Sequence, residues 1–101
     1  MIAGADLIIN CTCLGTAGAR DLSPLSYEDF QRAAASARVF DVVYDPAPTR
    51  FLEIAAERGL EALDGRSMNL FQAEIAFAKC FPTLAESTTS TAMAAAFAML
   101  Q

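Results

Sequence analysis

The sequence contains no histidine and no tryptophan, and only 7 of its 101 residues are lysine or arginine. The absence of histidine removes the commonest metal ligand and the commonest general base, so we expect no metal site. The net charge of −5 argues against a nucleic-acid partner, because that affinity depends on neutralising phosphates. No apolar run is long enough to cross a bilayer, and no secretory signal is recognisable. We therefore expect a cytoplasmic protein that binds neither nucleic acid nor membrane.

Cysteine is scarce and odd in number, with Cys11, Cys13 and Cys80 as the complete set. An odd count without a secretory signal predicts reduced thiols rather than a disulfide framework. Only one residue separates Cys11 from Cys13, whereas redox and zinc pairs usually have two residues between the cysteines. We expect all three cysteines to pack as small apolar side chains.

Hydrophobic residues make up 54% of the chain. That composition excludes intrinsic disorder, and the length allows one domain at most. The apolar content is nevertheless high for such a small body. We expect part of the apolar surface to be covered by a partner or by chain that this sequence lacks.

The hydrophobic pattern alternates between strand-like and helix-like segments. The predicted elements are a strand over 5–12, a helix from Ser26 through 33–37, a strand over 38–44, a helix over 49–58 closed by Gly59, a strand over 60–63, a helix over 67–80 and a last helix from Ser87 or Thr88. The run Leu7–Ile9 is typical of a strand buried on both faces of a parallel sheet. The order predicts an α/β fold that resembles half of a doubly wound parallel sheet, with about three strands.

The segments that follow the three predicted strands are residues 10–16, 42–45 and 64–68. The carboxyl ends of parallel strands lie on one edge, so these segments could line a single cleft. Spacing alone favours a simpler interpretation, in which Gly15, Pro46 and Gly65 only turn the chain.

Three stretches carry a resemblance to a known family. They read ADLIINCTCLG over 5–15, DVVYDPAPTRFL over 41–52 and AAERGLEALDGRSMNLFQA over 55–73. In order and spacing they resemble the shikimate dehydrogenases and their quinate-oxidising relatives, over roughly residues 3 to 81. The resemblance implies NADP-dependent interconversion of 3-dehydroshikimate and shikimate by hydride transfer.

The resemblance also implies a domain organisation. Residues 1–82 correspond to the C-terminal half of a Rossmann-like NAD(P)-binding domain, and residues 83–101 correspond to a closing C-terminal helix. The family's N-terminal substrate domain, its catalytic residues and its phosphate-binding loop would lie outside this chain, which contains no G-x-G-x-x-G motif. We therefore expect no catalytic residue in this chain and no turnover by the chain alone.

Site residues follow from the resemblance position by position. Tyr44 and Gln72 match substrate-binding positions, and a phenol and an amide suit a hydroxylated acid. Val42 and Gly65 match positions at the cofactor, where Val42 offers its main chain and Gly65 lacks a Cβ. Thr12 is a weaker candidate near the nicotinamide, as is Met68.

Two alternatives differ from this interpretation. The first is a quinate/shikimate dehydrogenase that uses NAD, because the residue that meets the cofactor ribose lies outside the chain. Departures from the family pattern, such as Cys11, Cys13 and Asn69, fit that branch equally well. The second alternative is a non-catalytic fragment that binds a partner through an exposed apolar face.

Overall fold

The computed structural model describes residues 2–84 and 86–99. After a 3-10 turn at Ile2–Gly4, its elements are β1 (Leu7–Asn10), α1 (Tyr27–Gln31), β2 (Arg38–Asp41), α2 (Arg50–Glu57), β3 (Glu61–Leu63), α3 (Arg66–Cys80) and α4 (Glu86–Met99). The strands form a parallel sheet in the order β1-β2-β3, with Ile8 opposite Val39 and Val39 opposite Ala62. The predicted α/β class and the predicted element order are confirmed.

The described residues form two compact units, one reaching to Arg66 and one starting at Ser67. The first unit contains the sheet with α1 and α2. The second unit contains most of α3 together with α4, where the Ser90 hydroxyl donates to Glu74 Oε1 at 3.0 Å. The domain assignment to 1–82 and 83–101 stays a prediction. Met1, Ala85, Leu100 and Gln101, which those ranges include, lie outside the described residues.

One face of the sheet packs against α1 and α2. The side chains that form this core are mostly apolar: Phe30, Ala33, Ala37, Val39, Phe51, Leu52, Ile54, Ala55 and Leu60. Phe30 of α1 and Phe51 of α2 are both fully buried, and their ring centroids lie 5.3 Å apart. The two helices are therefore joined to each other by an aromatic contact above the strands.

The other face of the sheet is exposed and carries apolar side chains beside an ion pair between Arg38 and Glu61 at 2.9 Å. Because side chains alternate along a strand, Ile8 of β1 points toward the core while Leu7 and Ile9 are 54% and 47% exposed. Leu63 of β3 is 60% exposed. The prediction that β1 is buried on both faces is therefore wrong for this chain, although the expected excess of apolar surface is present.

The first helix begins after Ser26, as the sequence predicts, but is much shorter than expected. Ser26 and Asp29 form a complete capping box, in which each side chain accepts a hydrogen bond from the backbone of the other. The helix ends at Gln31, and residues 33–37 form turns rather than a continuation. Ala33 and Ala37 are buried, so this segment packs into the core as it turns toward β2.

Helix α2 matches its prediction closely. Thr49 caps its start, and Gly59 follows its end with φ +82°, a conformation that favours glycine. Its buried face comprises Phe51, Leu52, Ile54 and Ala55. Ala56, the next residue along the helix, is exposed.

All three cysteines are exposed and unpaired. The expectation that they pack as small apolar side chains is wrong. Cys11 and Cys13 lie beyond the end of β1 in an irregular loop, so they escape the alternating burial of a strand. None of the helices among the described residues combines the length and the apolar character that crossing a membrane requires.

Truncating the aromatic contact between α1 and α2 should have a large effect on stability. We expect Phe51→Ala to lower the free energy of unfolding by about 3–5 kcal/mol, because it leaves a cavity in a fully buried site. Urea unfolding followed by circular dichroism measures this loss. Leu22→Ala, at a side chain that is 54% exposed, is the control and should change stability by less than about 0.5 kcal/mol. Equal losses in the two variants would contradict this packing.

Candidate functional site

The loops after β1 and β2 meet at the carboxyl edge of the sheet. Together they line an open cleft of about 360 Å³, formed by Thr12, Thr16, Val42, Val43, Tyr44 and Asp45. Its size lies within the usual range of ligand sites. A larger cleft of about 440 Å³ runs along β1, but its lining is mostly apolar and offers little chemistry.

Strand β2 ends earlier than predicted, and its end shapes the cleft. The Val42 N–H still donates to the Asn10 carbonyl of β1 at 3.1 Å. The next N–H, of Val43, donates to the Asp41 side chain at 2.9 Å instead of to a neighbouring strand. Residues 42–44 therefore leave the sheet and turn across its edge, which corrects the expectation of a strand over 38–44.

Thr12 is held in the loop after β1 by its own polar groups. Its N–H and its hydroxyl both donate to Asn10 Oδ1, at 2.9 and 2.6 Å. The hydroxyl oxygen also accepts from the Leu14 N–H at 3.2 Å. These bonds use the hydroxyl proton, so Thr12 offers a ligand its methyl group and one remaining lone pair.

Gly65 brings the end of β3 against the same backbone. Its N–H donates to the Val43 carbonyl at 3.2 Å. A Cβ added at Gly65 would overlap the Val42 carbonyl oxygen and would lie 2.7 Å from the carbonyl carbon. The missing Cβ therefore allows Gly65 to pack directly beside Val42, so that two predicted cofactor positions are neighbours.

Asp64 and Arg66 fix the chain on either side of Gly65. Asp64 accepts from the Arg66 N–H at 2.9 Å and from the Arg66 guanidinium at 2.7 and 2.9 Å. The side-chain hydrogen bond from Arg66 lowers the pKa of the Asp64 carboxyl below its usual value, despite partial burial. The same contact raises the pKa of Arg66.

The two predicted substrate residues lie in different units. Tyr44 lies in the first unit, at the cleft, with its side chain 44% exposed. Gln72 lies in the second unit, on α3, where it is exposed and donates to Asn69 Oδ1 at 3.2 Å. The structure thus brings Thr12, Val42, Tyr44 and Gly65 together. Gln72 and Met68, both of the second unit, are placed only along α3.

A buried polar cluster beneath the cleft was not predicted. Asn10, Asp41 and Thr49 are each at most 1% exposed. Asn10 Nδ2 donates to Asp41 Oδ1 at 3.1 Å, and the Thr49 hydroxyl donates to Asp41 Oδ2 at 2.5 Å. The strand pattern contained a signal for this contact, since Asn10 and Asp41 occupy the same inward-facing parity as Ile8 and Val39.

No model of a protein family matches the chain. The shikimate dehydrogenase (NADP(+)) of Bacillus subtilis is 44% identical to it over 72 residues, which are 71% of this chain and 25% of that protein. The corresponding enzyme of Bartonella tribocorum is 42% identical over 77 residues, or 76% of this chain and 27% of that protein. Over these stretches the chain is similar to members of the shikimate dehydrogenase family.

Solved structures of the family share its fold. A shikimate 5-dehydrogenase from Thermus thermophilus, in complex with NADP(H) and shikimate, aligns with TM-score 0.72 and 30% identity over 94% of this chain and 35% of that one. A quinate dehydrogenase from Corynebacterium glutamicum, in complex with NAD, aligns with TM-score 0.68 and 32% identity over 89% of this chain and 31% of that one. The fold is thus Rossmann-like. The chain spans about a quarter of the length of the curated relatives it matches.

The close approach of Gly65 to Val42 should make this position intolerant of a side chain. We expect Gly65→Ala to lower the free energy of unfolding by about 1–3 kcal/mol, because backbone atoms must move to admit the new methyl group. Gly18→Ala is the matched control, since a Cβ there would meet no atom within 4 Å. Urea denaturation of both variants measures the difference. A loss at Gly18 as large as that at Gly65 would sink this explanation.

The Asp64–Arg66 contact should make a small, pH-dependent contribution to stability. Because the pKa of folded Asp64 is lowered, the stabilisation is present above the unfolded pKa of about 3.9 and is lost as pH falls through the folded value. We expect Asp64→Asn to cost less than about 1 kcal/mol at pH 7, since Arg66 is exposed to solvent. The gap between variant and wild type should narrow below about pH 4. Denaturation at a series of pH values measures it, and a constant gap would refute the assignment.

Proposed function

We propose that this chain is the C-terminal part of a shikimate dehydrogenase. In this proposal residues 1–82 complete the NADP-binding domain, and residues 83–101 form the closing helix. The whole protein would interconvert 3-dehydroshikimate and shikimate with NADP(H). The observation that carries the proposal is the convergence of Thr12, Val42, Tyr44 and Gly65 at one edge of a parallel sheet, which is where such folds bind ligands.

The lining of the cleft fits the nicotinamide end of the cofactor. Val42 and Val43 supply an apolar wall. Thr12 and Thr16 lie beside it, with their hydroxyl protons donated to Asn10 and to the Cys13 carbonyl. Because Gly65 lacks a Cβ, its backbone can pack directly against the Val42 carbonyl at the edge of the sheet. In the proposal Val42, Gly65 and Thr12 hold the nicotinamide, and NADPH, when bound, supplies the hydride.

The substrate is assigned to Tyr44 and Gln72. A phenol hydroxyl can donate to a ring hydroxyl or a carboxylate, and an amide can both donate and accept. Tyr44 follows Val42 by two residues along the same loop, so the substrate and the cofactor would be held by one stretch of backbone. The residues that move the proton are assigned to the part of the enzyme outside this chain.

Two alternatives have support of their own. The quinate dehydrogenase among the structural relatives, with its NAD, favours a quinate/shikimate dehydrogenase that uses NAD. The exposed apolar face formed by Leu7, Ile9 and Leu63 favours a fragment that binds a partner without catalysis.

A cytoplasmic location is also part of the proposal, supported by three exposed and unpaired thiols.

Steady-state kinetics of the whole protein that contains these 101 residues test the proposed function. We expect shikimate with NADP⁺ to give the highest kcat/KM, and we expect the 101-residue chain alone to give no rate above a control without protein. A clear preference for quinate with NAD⁺ would establish the alternative enzyme. Absence of turnover with either pair would refute both enzymes and would leave the partner-binding fragment.

The substrate role of Tyr44 is tested by removing only its hydroxyl. We expect Tyr44→Phe to lower kcat/KM for shikimate roughly tenfold or more, because a polar group of the substrate loses its partner, while KM for NADP⁺ changes little. Tyr27→Phe is the matched control, since Tyr27 is similarly exposed at 43% but lies on α1, away from the strand ends. An unchanged kcat/KM in Tyr44→Phe, or an equal loss in Tyr27→Phe, would refute this role.

A further inference from the structure

The buried cluster of Asn10, Asp41 and Thr49 is not among the residues proposed to bind the substrate or the cofactor. It lies at the ends of β1 and β2, directly beneath the loops that line the cleft. An amide and a carboxylate buried to this extent lose their hydration, and only complete hydrogen bonding offsets that cost. The cluster therefore needs an explanation beyond filling space, because two apolar side chains would fill it more cheaply.

Asn10 uses every polar atom of its side chain. Its Nδ2 donates to Asp41 Oδ1 at 3.1 Å and to the Leu14 carbonyl at 3.2 Å. Its Oδ1 accepts both the N–H and the hydroxyl of Thr12. One side chain thus ties the loop after β1 at two points and joins it to the neighbouring strand.

Asp41 extends the same network to the other wall of the cleft. Its Oδ1 also accepts the Val43 N–H at 2.9 Å, and its Oδ2 accepts the Thr49 hydroxyl. The Val43 carbonyl in turn accepts the Gly65 N–H. Thr12, Val43 and Gly65 are therefore linked through a single pair of side chains, Asn10 and Asp41.

Thr49 anchors this pair to the start of α2. Its hydroxyl donates to Asp41 and accepts from the Leu52 N–H at 3.4 Å. Its methyl side lies against Gly15, where an added Cβ would come within 3.1 Å of it. Among the described residues no buried side-chain polar atom is without a partner, so the network is fully satisfied and directionally fixed.

We propose that Asn10 and Asp41 are positioning residues for the nicotinamide half of the cofactor. Their hydrogen bond holds the Thr12 loop and the Val42–Val43 main chain at a fixed separation, so that the cleft is formed before the ligand arrives. A preformed cleft costs less to occupy, because the loops lose less freedom on binding. This inference rests on the proposed function for the identity of the ligand.

The experiment compares two ligands of the whole protein by fluorescence or calorimetric titration. NADPH carries the nicotinamide, which the proposed function places in this cleft. 2′,5′-ADP carries only adenosine and phosphate groups, which the proposed function does not place there. We expect Asn10→Ala to weaken NADPH about tenfold or more and to change the affinity for 2′,5′-ADP by less than about twofold. A merely structural loss would weaken both ligands together.

Two further variants separate positioning from stability. Val39→Ala removes core volume from β2, two residues before Asp41, without touching the network, and it should leave the affinity for NADPH unchanged at temperatures where the protein is folded. Asp41→Asn keeps one oxygen that can accept from Asn10 and Val43 but loses the acceptor of the Thr49 hydroxyl. It should weaken NADPH several-fold, as Thr49→Val does, and less than Asn10→Ala. If Asn10→Ala does not fold, Thr49→Val takes its place. That variant should weaken NADPH several-fold, and Thr49→Ser, which keeps the hydroxyl, should restore binding.

The outcomes distinguish this inference from the proposed function. Unchanged NADPH affinity in Asn10→Ala, or an equal loss in Val39→Ala, would overturn the positioning role. If wild-type protein binds NADPH but oxidises neither shikimate nor quinate, the proposed reaction is wrong, and the titrations still decide the positioning role. If it binds neither NADPH nor NADH, both are overturned.

Discussion

The hydrogen bond between Asn10 and Asp41 is the contact on which the edge of this sheet depends. It joins the last residues of two parallel strands, 31 positions apart in sequence, at a site with almost no access to water. Parallel strands end without a hairpin to hold their tips together. A buried amide–carboxylate bond supplies that connection and orients the backbone on both sides of it.

The same two residues show how a strand changes from packing to function along its length. Ile8 and Val39 point toward α1 and α2 and contribute apolar surface to the core. Asn10 and Asp41 follow at the same parity, where the core gives way to the carboxyl edge. Alternation therefore directs both side chains inward, and their burial obliges them to bond each other and the nearby loop backbone. These hydrogen bonds fix the loops that form the walls of the cleft.

Much of this arrangement follows from local sequence, and the rest depends on contacts between distant residues. The capping box of Ser26 and Asp29 and the terminal Gly59 were predictable, because caps are determined by residues a few positions apart. The short α1 and the early end of β2 were not, since core packing around Ala33 and Ala37 and the Asp41–Val43 bond override local propensity. The pairing of Asn10 with Asp41 could be predicted from the alternation of side chains along the strands. Their contact with Thr49 could not, because it depends on the three-dimensional fold. The exposure of Cys11 and Cys13 depended on the loop geometry after β1.

The open face of the sheet and its carboxyl edge place different demands on the chain. Leu7, Ile9 and Leu63 expose apolar surface that a parallel sheet normally covers with helices, so burying that face would stabilise the sheet. The edge instead carries its own fully bonded polar network, which fixes the backbone without help from covering chain. The geometry of the cleft can thus be set by side chains within residues 10–65, while the stability of the sheet beneath it depends on what packs against the face. The geometry of the edge and the stability of the face are thus separate properties. A variant that weakens binding of the nicotinamide half of the cofactor, but not of the adenosine half, therefore reports on the network and not on the core.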